Sequence, residues 1–180
     1  MKRARAQLKV HLPDVVFLPT ATGWADPDPG HLRLQLPIPN FFGRPMQRCL
    51  DVRVRYSSLL NKSRGLSGSK TRIGCWSFTE AELLAFTDYW LLVLASGSQP
   101  LVFVLPQHRV RALLESPELQ FCIQATASGQ CMANSGPYHA HDKAGQQVAF
   151  NDPHDWFVRE VRLFLNNWQL LDGTASEYPS

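Results

Sequence analysis

The chain has 180 residues, 44% of them hydrophobic and 18% charged, with five tryptophans, a composition that excludes wholesale disorder and suits one globular domain. The formal net charge of +3 hides a division: residues 1–72 hold thirteen Lys/Arg against four Asp/Glu, and residues 73–180 hold five against eleven. The longest apolar run, Tyr89–Ala95, is too short to span a bilayer, so no membrane partner is expected.

In chain order, Met1–Lys9 (MKRARAQLK) reads as a frayed basic arm, and residues 1–12 are set apart from a single domain over 13–172. No helix is expected to open the protein. That arm has no apolar core behind it and so does not read as a secretory leader; Cys49, Cys75, Cys122 and Cys131 show no CxxC pair and are taken as reduced thiols of a cytoplasmic protein. Four prolines between Leu12 and Gly30 leave room for a short strand near Val15–Leu18. His31–Ile38 alternates apolar and polar residues, the pattern of a half-buried strand, and Pro37 and Pro39 limit its far end. Asn40–Pro45 is a turn. In Cys49–Tyr56, Leu50, Val52 and Val54 face one way while Asp51, Arg53 and Arg55 face the other.

A Gly/Ser-rich loop is expected over Ser57–Gly74. Thr79-Glu-Ala-Glu82 has capping-box spacing and predicts a helix to about Phe86. Tyr89–Ala95 and Pro100–Leu105 are continuous apolar runs, read as buried central strands. Gln107–Glu115 is a short helix and Leu119–Thr126 a strand or helix remnant. Residues 127–154 read as irregular, Trp156–Trp168 as an amphipathic closing helix, and 173–180 as a disordered tail. These elements predict an α/β fold with a mixed β-sheet flanked by helices.

The densest chemistry lies between Arg44 and Arg72. Arg44, Arg48, Arg53, Arg55, Lys62, Arg64, Lys70 and Arg72 stand there against one acid, Asp51. Such a cluster repels itself unless counter-charge arrives from outside, and phosphate backbones supply it. The competing reading is a solvated surface, with Arg53 and Arg55 paired to Asp51. Tyr56 and Trp76 flank the charged segment and are candidates for stacking on bases.

The order Arg53-Val-Arg-Tyr-Ser57, basic loop, Trp76–Phe86, Asp88-Tyr-Trp-Leu-Leu-Val-Leu94 and Pro100-Leu-Val-Phe-Val-Leu-Pro106 resembles the PD-(D/E)XK nuclease-like superfamily, in its resolvase-like and restriction-endonuclease-like branches. The resemblance covers residues 30–171 and implies a restriction-endonuclease-like scaffold. It also implies a Mg²⁺ site made from an Asp on one strand and an acid two residues before a Lys on the next. Here Arg53 stands at the acid position and Arg55 at the lysine position. Arginine cannot ligate Mg²⁺, and two of them repel it. His31–Ile38 carries no acid. A shifted register would use Asp51 as the catalytic acid, with Asp14, Asp26 or Asp28 as the second.

Three functions follow. The first is a nucleic-acid-binding protein, with DNA the expected polyanion, that needs no cofactor and does not cut. The second is a Mg²⁺-dependent endonuclease with a rearranged site around Asp51. The third is a protein-interaction subunit of a larger assembly, whose basic half docks on an acidic neighbour or which presents Asn40-Phe-Phe-Gly43 as an exposed tip. His139, His141, Asp142 and His154 with Cys122 and Cys131 carry donors suited to Zn²⁺, but their spacing fits no common zinc pattern and no metal site is expected there.

Overall fold

The computed structural model describes residues 2–19, 30–38, 46–57, 61–64, 70–94, 100–114, 119–125, 130–135 and 160–175. Their elements are α1 (Lys2–His11), β1 (Val16–Leu18), β2 (His31–Ile38), β3 (Met46–Tyr56), β4 (Asn61–Arg64), β5 (Lys70–Ser77), α2 (Glu80–Leu84), β6 (Tyr89–Leu94), β7 (Leu101–Pro106), α3 (Gln107–Leu113), β8 (Gln120–Ala125), β9 (Cys131–Ser135), a 3-10 turn at Arg162–Phe164 and α4 (Gln169–Asp172). The fold is mixed α/β with two sheets. The first has strand order β1-β2-β3-β6-β7, parallel only between β3 and β6; the second, β4-β5-β8-β9, is antiparallel throughout.

Period-two alternation decides what each face of the first sheet meets. Leu32, Leu34 and Leu36 on β2 are buried on one side together with Leu50, Val52 and Val54 on β3. Helix α1 covers this side: Arg5 and Lys9 lie over the ring of Phe17, which is paired with Leu34. On the other side, Trp76 of the second sheet packs against Phe103 and Phe78 at its exit against Trp90, with Phe121 backing both Trp76 and Phe78. A sheet thus takes the place of the second helical layer expected from sequence.

Several expectations are corrected. The basic arm is a helix, because Ala4, Leu8 and Leu12 recur every fourth residue and all three are buried. Lys9 Nζ donates to Val15 O at 2.6 Å, and His11 stacks on Trp168 with ring centres 5.0 Å apart. The Ser57–Gly74 loop contains β4 and the first part of β5, paired with each other, and the irregular stretch after residue 127 contains β9. The closing helix is replaced, over its described part 160–168, by single-residue bridges and a 3-10 turn, and α4 follows it. Asn166, at φ 51°, leaves helical geometry there; its N–H donates to Val102 O and its side-chain oxygen accepts from Val102 N. The bridges join Phe103 to Leu165 and Met132 to Glu160, so this segment closes the outer edges of β7 and β9. Strand β7 is therefore not central, although it is buried.

Cys75 and Cys122 face each other across β5 and β8 and form a disulfide, which corrects the reduced-thiol reading for those two residues. Cys49 is an exposed free thiol and Cys131 a buried one. The strands over 31–38, 89–94 and 101–106, and the Thr79–Glu82 capping box, are as expected. No helix among the described residues is long and apolar enough to cross a membrane.

Candidate nucleic-acid interface

Strand β3 divides its basic residues between two faces. Arg48 shares parity with Leu50 and lies on the helical side, where a Cβ built on Gly173 would come 3.4 Å from its Nη1. Arg53 and Arg55 lie on the side of the second sheet, with Asp51. The guanidinium of Arg53 sits 5.8 Å from the ring centre of Trp90, and that of Arg55 sits 5.9 Å from Phe78. These two rings meet edge to face at 5.0 Å, so both arginines rest on one aromatic floor. Arg55 also forms an ion pair with Glu82 of α2. Both are half-buried.

The described partners of Asp51 are His31 and Asp88. Its Oδ1 meets His31 Nε2 at 2.8 Å, its N–H donates to Asp88 Oδ2 at 2.8 Å, and its carbonyl accepts from Asp88 N at 2.8 Å. His31 lies opposite Arg53 in the ladder, and the strand that carries it, His31–Ile38, contains no acid. Arginine does not ligate a divalent ion, so Arg53 and Arg55 beside His31 do not fit one. Among the described residues no group of three His, Cys, Asp or Glu side chains is placed to hold a metal. Asp14 lies in the turn between α1 and β1. Asp26, Asp28, Arg44, residues 40–43 and the cluster His139, His141, Asp142 and His154 lie outside the described residues.

The remaining cations come together through strand pairing. Lys62 stands opposite Arg72, and Arg64 opposite Lys70, in the β4–β5 ladder. Opposite positions share a face, and so do positions two apart, so all four belong to one face of the hairpin. That face also carries Gly74 and Trp76. A Cβ on Gly74 would come 2.7 Å from Trp76, 2.9 Å from Leu94 and 3.1 Å from Ser57 Oγ, which leaves glycine as the residue that fits. Gly74 thus lies beside Ser57 and Leu94, where β3 and β6 end, while Phe78 lies beside Arg55. Since β5 runs from Lys70 to Ser77, positions 72 and 70 stand beyond the end of β3. The order along this side is therefore Arg53, Arg55, then the four hairpin positions.

Of the stacking candidates, Tyr56 is exposed, at 40%. Trp76 is corrected: it is 1% exposed, packs between Phe103 and Phe121, and donates its Nε1–H to Arg55 O at 3.3 Å. It holds the floor together and has no face to offer a base. Sequence reasoning missed His31, Asp88 and Glu82; only Glu82 carried a signal, as the third residue of the capping box. It also missed that Arg5 and Lys9 are ordered on α1, across the first sheet from the hairpin. Comparison with family models, curated proteins and solved structures found no match to this chain.

Proposed function

We propose that the chain is a non-catalytic nucleic-acid-binding protein on a restriction-endonuclease-like scaffold, gripping the phosphate backbone of DNA through the β4–β5 hairpin. The observation that carries this reading is the pairing of cation with cation, Lys62 opposite Arg72 and Arg64 opposite Lys70. Like charges directly opposite in a ladder destabilise it, and a bound polyanion turns that cost into attraction. The scaffold assignment is supported by the five-strand mixed sheet and by its opening helix. That superfamily often draws a further glutamate from such a helix; α1 contains no acid. The absence of cutting is supported by Arg53 and Arg55, which the resemblance sets at its acid and lysine positions, and by a preceding strand, His31–Ile38, without an acid.

The test is binding of a labelled duplex across a salt series. Each phosphate contact adds about 0.9 to the slope of log affinity against log salt on duplex DNA. Replacing Lys62, Arg64, Lys70 and Arg72 with glutamine should lower that slope by about 3.6 if all four contact phosphates. A wild-type protein that binds neither duplex nor single strand at low salt refutes the reading and leaves the protein-interaction alternative.

A second reading, a Mg²⁺-dependent endonuclease, is favoured by one feature: Asp88 lies within hydrogen-bond reach of the Asp51 backbone, so two carboxylates share one locality. It predicts plasmid nicking with Mg²⁺ or Mn²⁺ that is lost in both Asp51→Ala and Asp88→Ala. Intact plasmid with either ion eliminates it.

A further inference from the structure

Glu82 does two things at once. Its Oε2 accepts from Thr79 N at 2.8 Å and from the Thr79 hydroxyl at 3.0 Å, closing the capping box, while its Oε1 holds Arg55. The helix that carries it buries none of its five residues. Leu84 is 80% exposed and Phe86 just beyond is 76% exposed. Apart from its covalent ends, α2 is held by Leu83, which packs partly buried against the core, by the Arg55–Glu82 pair to the sheet, and by Arg111 and Gln107 of α3, which both donate to Leu83 O. Of these, the Arg55–Glu82 pair is partly exposed, and water or another anion replaces such a contact at small cost without moving Leu83.

A carboxylate offers a guanidinium fork the same two-oxygen acceptor that a phosphate does. Arg55 lies in line with the hairpin cations, on the same side of the first sheet, so a backbone laid on the hairpin passes towards it. We infer that Glu82 is an internal stand-in for a backbone phosphate and that α2 is a gate: a polyanion seated on the hairpin displaces Glu82 and takes its place on Arg55. This rests on the nucleic-acid reading of the hairpin and names how that same site is regulated. Asp51, the acid beside the arginines on strand β3, is engaged by His31 and by the backbone link to Asp88, so among the described residues Glu82 is the group exchanged.

Glu82→Gln separates the two roles. Glutamine serves at the third helical position of a capping box, so the cap survives while the charge holding Arg55 is removed. Glu80→Gln, at an exposed acid on the same helix, reports the effect of one negative charge fewer without touching Arg55. In fluorescence anisotropy with a mixed-sequence duplex at about 50 mM salt, Glu82→Gln should bind about fivefold tighter than Glu80→Gln and show a salt slope steeper by about 0.9. Adding Arg55→Gln to Glu82→Gln should remove both changes. Thr79→Ala, which frays α2 from its start, should also tighten binding. If wild type binds but Glu82→Gln behaves as Glu80→Gln does, the gate is wrong and the hairpin reading stands. If neither wild type nor Glu82→Gln binds, the hairpin reading fails and the gate with it.

Discussion

Replacing Leu8 with alanine asks whether the basic N-terminal segment belongs to the core or only decorates it. Leu8 is fully buried, and its neighbours along the stripe, Ala4 and Leu12, are buried too. Removing a buried leucine side chain costs its transfer energy plus the cavity left behind, about 2–5 kcal/mol, and a helix at the rim of a sheet relaxes enough to favour the lower half, about 3 kcal/mol. In a protein of this length that is a fall in Tm of about 6–12 °C. Val10, on the same helix but 73% exposed, provides the control: Val10→Ala removes a similar group from water-facing surface and slightly improves helix propensity, so its effect stays within about 0.5 kcal/mol. Thermal and urea unfolding of the two variants decide the matter. Equal stabilities for Leu8→Ala, Val10→Ala and wild type would refute the placement of α1 against the sheet and return residues 2–11 to a frayed tail.

Three further outcomes are expected. Gly74→Ala forces a methyl into the ring of Trp76 and should cost about 1–3 kcal/mol by urea unfolding; no loss would mean that the two sheets do not approach at that point. Reducing the Cys75–Cys122 bridge, which spans 47 residues, frees the unfolded chain and should lower stability by about 4 kcal/mol on the loop-entropy account; unchanged melting in the presence of a reductant would contradict the bond. Burial, with Glu160 adding to it and Arg162 opposing it, pushes the Cys131 thiol up to about 11 from 9.0. The folded protein therefore holds that proton more tightly than the unfolded chain. Its contribution is complete below pH 9.0 and is lost as pH rises towards about 11, up to about 3 kcal/mol in all. A Cys131→Ala variant should lack this alkaline decline, and in the native protein Cys49 should alkylate while Cys131 does not.

What could be read from the residues was what neighbouring residues decide. Strands β2 and β3 announce themselves by alternation, β6 and β7 by unbroken apolar runs, and α2 by Thr79 and Glu82 three apart. Helix α1 was hidden because four cations in nine residues drew attention from three small and branched residues spaced by four. Strands β4 and β5 were hidden by the glycines and serines between and around them, since a hairpin of polar residues is stabilised by its pairing with β8 and not by its own composition. The site divides the same way. That Asp51, Arg53 and Arg55 share a face follows from alternation, but their partners lie far away in the chain: His31 is 20 residues from Asp51, Glu82 is 27 from Arg55, and Asp88 is 37 from Asp51. Strand register brings such pairs together, and register is set by the whole sheet.

The bridges at Leu165 and Glu160 carry a consequence for how the molecule assembles. One stretch latches both β-layers, and it follows the nine described strands in the chain. Until it docks, the outer rims of β7 and β9 offer unsatisfied amides and carbonyls to any passing polypeptide, the condition under which partly assembled chains stick to one another. Joining Leu165 to Phe103 means bringing together points 62 residues apart, a step slowed by chain entropy. Loss of that latch would therefore appear first as clumping during refolding, before any change in the finished protein's hold on its ligand.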